Sequence, residues 1–160
     1  MFEVLVFVYE HYWRGDACPE LQQLERKLSA HGFEPEEIHQ ALTWLDGLNF
    51  AAQNVAAAEE SPAYAEVAAT ASSLRVYSWQ EQEHLGAECL GFIAFLANSG
   101  VLPPAMREIV IDRAMAAPGD PVSLDDLKII VLMVYWSFGK QPDALVLDEL
   151  CDSPETRIPH

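Results

Sequence analysis

Basic residues are scarce in this chain. Nine Lys and Arg stand against 25 Asp and Glu among 160 residues, a formal net charge of −16. Gripping a phosphate backbone depends on displacing its counterions with Lys and Arg, so this balance disfavours direct nucleic-acid binding. Long-range attraction runs toward basic partners instead. Cysteine is also scarce. Cys18, Cys89 and Cys151 are odd in number and widely spaced, which does not read as a disulfide framework. Reduced thiols in a cytoplasmic setting, each buried as a small hydrophobe, are expected. Long apolar runs are missing: the longest, Ile129 to Trp136, falls well short of the roughly 20 residues that span a bilayer. The opening Met1-Phe2-Glu3 lacks the basic region of a secretory signal. No glycine-rich phosphate loop lies between a strand and a helix, because Gly86 and Gly91 fall inside a helical pattern.

What is present is apolar material, 51% of the residues, enough for a real core despite the charge. Length and composition predict a single domain over 1–160, with an N-terminal half 1–78, a helical half 79–152 and a frayed tail 153–160. The class is mainly α, with about six or seven helices. The apolar set Met1, Leu5, Val8, Tyr9 and Tyr12 predicts a buried first helix ending at Gly15. Asp16 and Pro19 suit the start of a second, with Leu21, Leu24 and Leu28 as its stripe. Gly32 stops it, and Pro35 opens a third whose inner face is Ile38, Ala41, Leu42, Leu45 and Leu48, with Trp44 at the edge. The Ala-rich stretch 49–72 shows no sustained apolar period and reads as a loop or hairpin arm. Ser78 with Glu81 forms a capping box for a helix to about Asn98, carrying Leu85, Cys89, Phe92 and Leu96 inward. Pro103 and Pro104 launch a helix through Met115. The run Ala117-Pro118-Gly119-Asp120-Pro121 breaks the chain. Ser123 caps the most hydrophobic helix, 124–138, and a short helix over about 143–151 follows.

Leu74, Arg75, Val76 and Tyr77 alternate, so 74–77 suits a short strand. Helix, helix, short turn, helix, arm, strand and capped helix in that order predict a winged-helix-like N-terminal half, with a helix-turn-helix over 19–48 and a short β arm near 74–77, packed on C-terminal helices. A DNA-reading helix needs Arg, Lys, Asn or Gln toward the groove and cations on the phosphates. The third helix offers Glu36, Glu37, His39, Gln40 and Asp46 instead.

Several segments together resemble the Smg family of bacterial proteins. They are Met1-Phe2-Glu3-Val4-Leu5; Gly32-Phe33 with Ile38, Ala41-Leu42 and Trp44-Leu45; Leu74-Arg75-Val76-Tyr77 before Glu81; Arg107 to Arg113; and Leu124-Asp125-Asp126-Leu127-Lys128 with Val131 to Val134. The resemblance covers nearly the whole chain and is weakest over 49–72. It implies a bacterial cytoplasmic protein with a link to DNA processing, and it supplies no catalytic residue to carry over.

Two Glu-x-x-His pairs, Glu36 with His39 and Glu81 with His84, have the spacing that di-iron bundles use, and Glu88 and Glu108 are further carboxylates. Glu81 already has a capping role, and Glu36 sits in a first turn where negative charge is favoured anyway. No cofactor or metal is therefore expected. The four tryptophans are most simply core, with Trp79, just after a cap, the candidate interface anchor. Arg107, Glu108, Asp112 and Arg113 alternate charge along one helix. The resulting expectation is a non-enzymatic protein-interaction module with a basic protein partner. Its candidate surface is Glu36, Glu37, Gln40, Trp79, Arg107 and Arg113. The alternatives are a winged-helix DNA-binding regulator and a metal-binding helical protein built on Glu81, His84 and Glu88.

Overall fold

A computed structural model describes residues 1–12, 20–59 and 75–143, together with Val146 and Asp148. Six helices occur among them: α1 (Phe2–Tyr12), α2 (Leu21–Ala30), α3 (Pro35–Glu59), α4 (Trp79–Asn98), α5 (Pro104–Met115) and α6 (Leu124–Ser137).

The last of these organises the rest. Helix α6 buries eight successive or near-successive positions, Leu127, Lys128 and Ile130 to Tyr135. A helix apolar nearly all round must be covered on most sides, and α1, α3, α4 and α5 all pack against it. Helix α1 also lies on α3, α2 lies on α3, and α5 bridges α3 and α4. The Ser123 hydroxyl accepts the Asp126 N–H at 3.1 Å, as its position predicts. Gly139, at φ +62°, ends the helix in the left-handed conformation that glycine tolerates best.

The α2–α3 turn also follows the sequence. Gly32 has φ +90°, the Phe33 N–H donates back to Leu28, and Pro35 stands in the first turn of α3. Helix α2 begins at Leu21 with Glu20 in the capping position, making no side-chain cap. Asp16 and Pro19, like the Gly15 stop and Trp13, lie outside the described residues. Of the short helix expected over 143–151, Val146 and Asp148 are helical; its other positions beyond Asp143, and the tail 153–160, lie outside them too.

Three expectations are corrected. First, α3 is 25 residues long and runs to Glu59, where a loop or arm was expected from 49; residues 60–72 of that arm lie outside the described residues. Alanine is the strongest helix former, so Ala51, Ala52, Ala56 and Ala57 extend the helix without needing an apolar stripe. Second, no strand occurs among the described residues, so the β arm and the winged-helix character are not supported. The alternation in 75–77 is real but inverted. Arg75 and Tyr77 turn inward while Val76 is 83% exposed, because Arg75 is held by carboxylates rather than by a backbone ladder. Third, Leu42 and Phe92 are half-buried and Ile93 takes the inner place expected for Phe92; Trp44, placed at the edge of the α3 face, is core, 4% exposed, as expected for the tryptophans.

Candidate interaction surface

Arg75 is the hub of the surface that precedes α4. Its Nη1 and Nη2 donate to the two carboxylate oxygens of Glu81, each at 2.8 Å. Nε and Nη2 reach Glu108 on α5 at 3.0–3.2 Å, and the guanidinium lies 4.8 Å from the Tyr77 ring centroid. Glu108 also accepts from Arg107 at 3.0 Å. The predicted capping box is formed: Glu81 Oε2 accepts the Ser78 N–H at 2.8 Å, and the Ser78 hydroxyl accepts the Glu81 N–H at 3.3 Å. One carboxylate thus caps α4 and binds Arg75 at once.

Those bonds, Arg75 first, hold the Glu81 carboxyl down at about 2. A folded-state value below the unfolded one contributes stability that is present above about pH 4.5 and lost as pH falls toward 2. Glu81 is partly exposed, so the contribution is on the order of 2 kcal/mol after screening. Glu81→Gln is therefore expected to lower the urea-unfolding midpoint at pH 7, with the gap to the unmodified chain narrowing below about pH 4.5 and closing only as pH falls to about 2 and below. A constant gap between the two across that range is the result that contradicts it.

Helix α4 is broken at Gly86, whose φ of 71° and ψ of 169° are not helical. The loop between α5 and α6 docks at the break. The Val122 N–H donates to the His84 carbonyl at 2.8 Å, and the Cys89 thiol donates to the Val122 carbonyl at 3.3 Å. Burial, with Glu88 and Asp126 adding to it, pushes that thiol up to about 11, so Cys89 is a packed hydrophobe and no nucleophile at neutral pH. Cys18 and Cys151 lie outside the described residues. His84 Nε2 stands 3.2 Å from the Ala114 carbonyl; a carbonyl can only accept, so this nitrogen carries the proton. The last turn of α5 is thereby tied to both α4 and α3, because the Trp44 indole N–H of α3 donates to the Arg113 carbonyl at 2.9 Å.

The metal-binding alternative finds no convergent donor set here. Glu81 is engaged by Arg75, His84 by a carbonyl, and the break at Gly86 falls between His84 and Glu88. No group of three or more His, Cys, Asp or Glu side chains able to hold an ion occurs among the described residues.

Beside the break runs an open groove of about 600 Å³ lined by Gln80, Glu83, His84, Met115, Gly119 and Asp120. Val76 and Trp79 stand out next to it in the chain, Trp79 at 74% exposure. Trp79 and Glu83 are one helical turn apart and share a face.

The six candidate residues do not form one patch. Gln40 and Arg113 meet in a second groove of about 480 Å³ with Met1, His39, Thr43, Trp44 and Pro118. Glu36 is exposed, and Glu37 lies 3.7 Å from the Met1 amine. Arg107 is held by Glu108, and Arg113 by Asp112 at 2.7 Å. The Arg113 guanidinium lies across Gly47 of α3, where a Cβ would stand 2.0 Å from Nη1. Two arginines of α5, Arg107 and Arg113, and Arg75 from the segment before α4 therefore lie along α5, each paired with a carboxylate of that helix. Trp79 lines neither this groove nor the one between α3 and α5. Sequence reasoning missed Arg75 as a hub, the Glu83–Asp120 groove and Phe50, which is 68% exposed on α3. Only Arg75 had a local signal, a lone cation just ahead of a capping box.

The family model described as a protein of unknown function, DUF494, matches residues 1–160. The chain belongs to that family. A protein of Leptothrix cholodnii named Protein Smg homolog is 58% identical over 160 residues, covering both chains fully. Relatives of the same name in Methylibium petroleiphilum and Herminiimonas arsenicoxydans are 56% and 48% identical, again over the full length of both chains. The Smg resemblance thus extends over the whole DUF494 chain, the Ala-rich stretch included. No solved structure matches it. No helix among the described residues is long and apolar enough to cross a membrane.

Proposed function

We propose that this DUF494 protein is a non-catalytic cytoplasmic docking module for a basic segment of another protein, bound at the Val76–Trp79 shelf and the groove beside it. The observation that carries this reading is Trp79. A large ring at 74% exposure sits on a backbone pinned by the capping box and by Arg75. On a pinned backbone, binding has only the two side-chain torsions of Trp79 left to order, a low entropy cost that suits such residues as energetic anchors. The surroundings select the partner's charge. Glu83 and Asp120 line the groove, and the whole chain carries −16. Proteins that handle nucleic acid carry Lys and Arg to neutralise phosphate, so they are a natural source of such segments.

Panning a random dodecapeptide display library on the full chain tests this. Enriched peptides are expected to combine several Lys or Arg with an apolar anchor and to bind more weakly as salt rises. Trp79→Ala is expected to weaken the selected peptides at least about tenfold, roughly 1.4 kcal/mol. Enrichment of neutral or acidic peptides, no enrichment, or equal binding by Trp79→Ala each refutes the reading.

A further inference from the structure

We propose that the protein also associates with a second copy of itself, through the apolar groove between the second half of α3 and α5, with Phe50 of each copy seated in the other's groove. The groove holds about 480 Å³ and is walled by Ala51, Val55, Pro104 and Ala105, with Glu108 and Asp112 among its polar lining. That volume accommodates an aromatic ring with room for neighbouring side chains. Phe50 stands next to it on α3, adjacent to Ala51 in sequence and one turn before Asn54, which also lines the groove. It does not fill its own groove, since it remains 68% exposed. A two-fold axis solves this geometry, because in such an interface each copy offers the same projection and the same recess.

Charge decides the occupant. A basic segment requires free carboxylates, and the two here are already satisfied: Glu108 by Arg75 and Arg107, Asp112 by Arg113. The stretch of α3 from Phe50 to Ala57 carries no charge. The patch is therefore close to neutral on a chain of net charge −16. It is a face on which two such chains approach with little local repulsion, while repulsion between the remaining surfaces opposes association at low salt.

This surface is separate from the Trp79 shelf, and salt acts on the two in opposite senses. Sedimentation equilibrium of the full chain is the test. A reversible monomer–dimer equilibrium is expected, with the dimer favoured as salt rises from about 50 mM to about 300 mM and screening removes the residual repulsion. Phe50→Glu is expected to weaken dimerisation at least about 100-fold, as burying an unpaired charge at an interface centre requires. Its far-UV circular dichroism should be unchanged, because the ring is exposed. Phe50→Leu should weaken it less, and Trp79→Ala should leave it unaltered. A monomer at every concentration up to about 1 mM, a dimer that Phe50→Glu does not weaken, or a dimer lost in Trp79→Ala overturns the proposal.

Discussion

Trp44→Ala is expected to destabilise the fold by about 3–5 kcal/mol, the largest effect of the substitutions considered. The indole is 4% exposed and lies among residues of α3 that contact α5 and α6. Its removal leaves a cavity that rigid helices close only in part. It also deprives the Arg113 carbonyl of a donor at 2.9 Å, in a helix end where intrahelical donors run short. Trp44→Phe separates the two contributions. It keeps most of the apolar area and loses the hydrogen bond, so a cost nearer 1–2 kcal/mol is expected. Equilibrium urea unfolding reads both. A loss below about 1 kcal/mol for the alanine variant is incompatible with a buried, bonded Trp44.

The second large effect has a diagnostic sign. In a regular helix Gly→Ala stabilises by about 0.5–1 kcal/mol. Gly86 lies at φ 71°, ψ 169°, a region that residues with a Cβ rarely enter, so Gly86→Ala is expected to cost about 1–3 kcal/mol. Strain, not collision, sets that cost, because the new Cβ would meet only Pro121 Cβ at an ordinary 3.8 Å. Gly91, in the same helix, has open space around its would-be Cβ and no left-handed φ. Gly91→Ala should therefore stabilise. Opposite signs for the two variants in thermal or urea unfolding support a break at Gly86, and the same sign for both refutes it.

The break matters beyond stability. The His84 carbonyl and the Cys89 thiol hold the Val122 segment there, which places Gly119 and Asp120 along the groove with Glu83. Straightening α4 would remove that docking point and with it one wall of the proposed binding surface. The Arg75 cluster does the same for the opposite side, fixing the backbone from which Val76 and Trp79 project.

Much of the helical architecture was legible in the chain. Ser78 with Glu81, Ser123, Pro35 and Gly139 mark helix ends through bonds that span three or four residues, and all are used as their positions suggest. The stripes of α1, α2 and α3 follow the same short-range periodicity. The misreadings share one cause, the weighing of apolar pattern against propensity or direction. The Ala-rich stretch lacked a stripe yet had the propensity to extend α3 to Glu59. The alternation at 75–77 suggested a strand, but period two does not say which face is inward, and here the cation faces in and the valine out.

Helix class, caps, the buried stripe of α6 and the acid excess were written in neighbouring residues, because each arises from forces acting within a turn or from a simple sum of charges. The meeting of Arg75 with Glu108, 33 positions away, the docking of Val122 on a broken α4, and the exposure of Phe50, Val76 and Phe95 among the described residues came from the folded arrangement alone. Those outcomes depend on which helices share a boundary, and a linear pattern carries no measure of that until the chain has closed around α6.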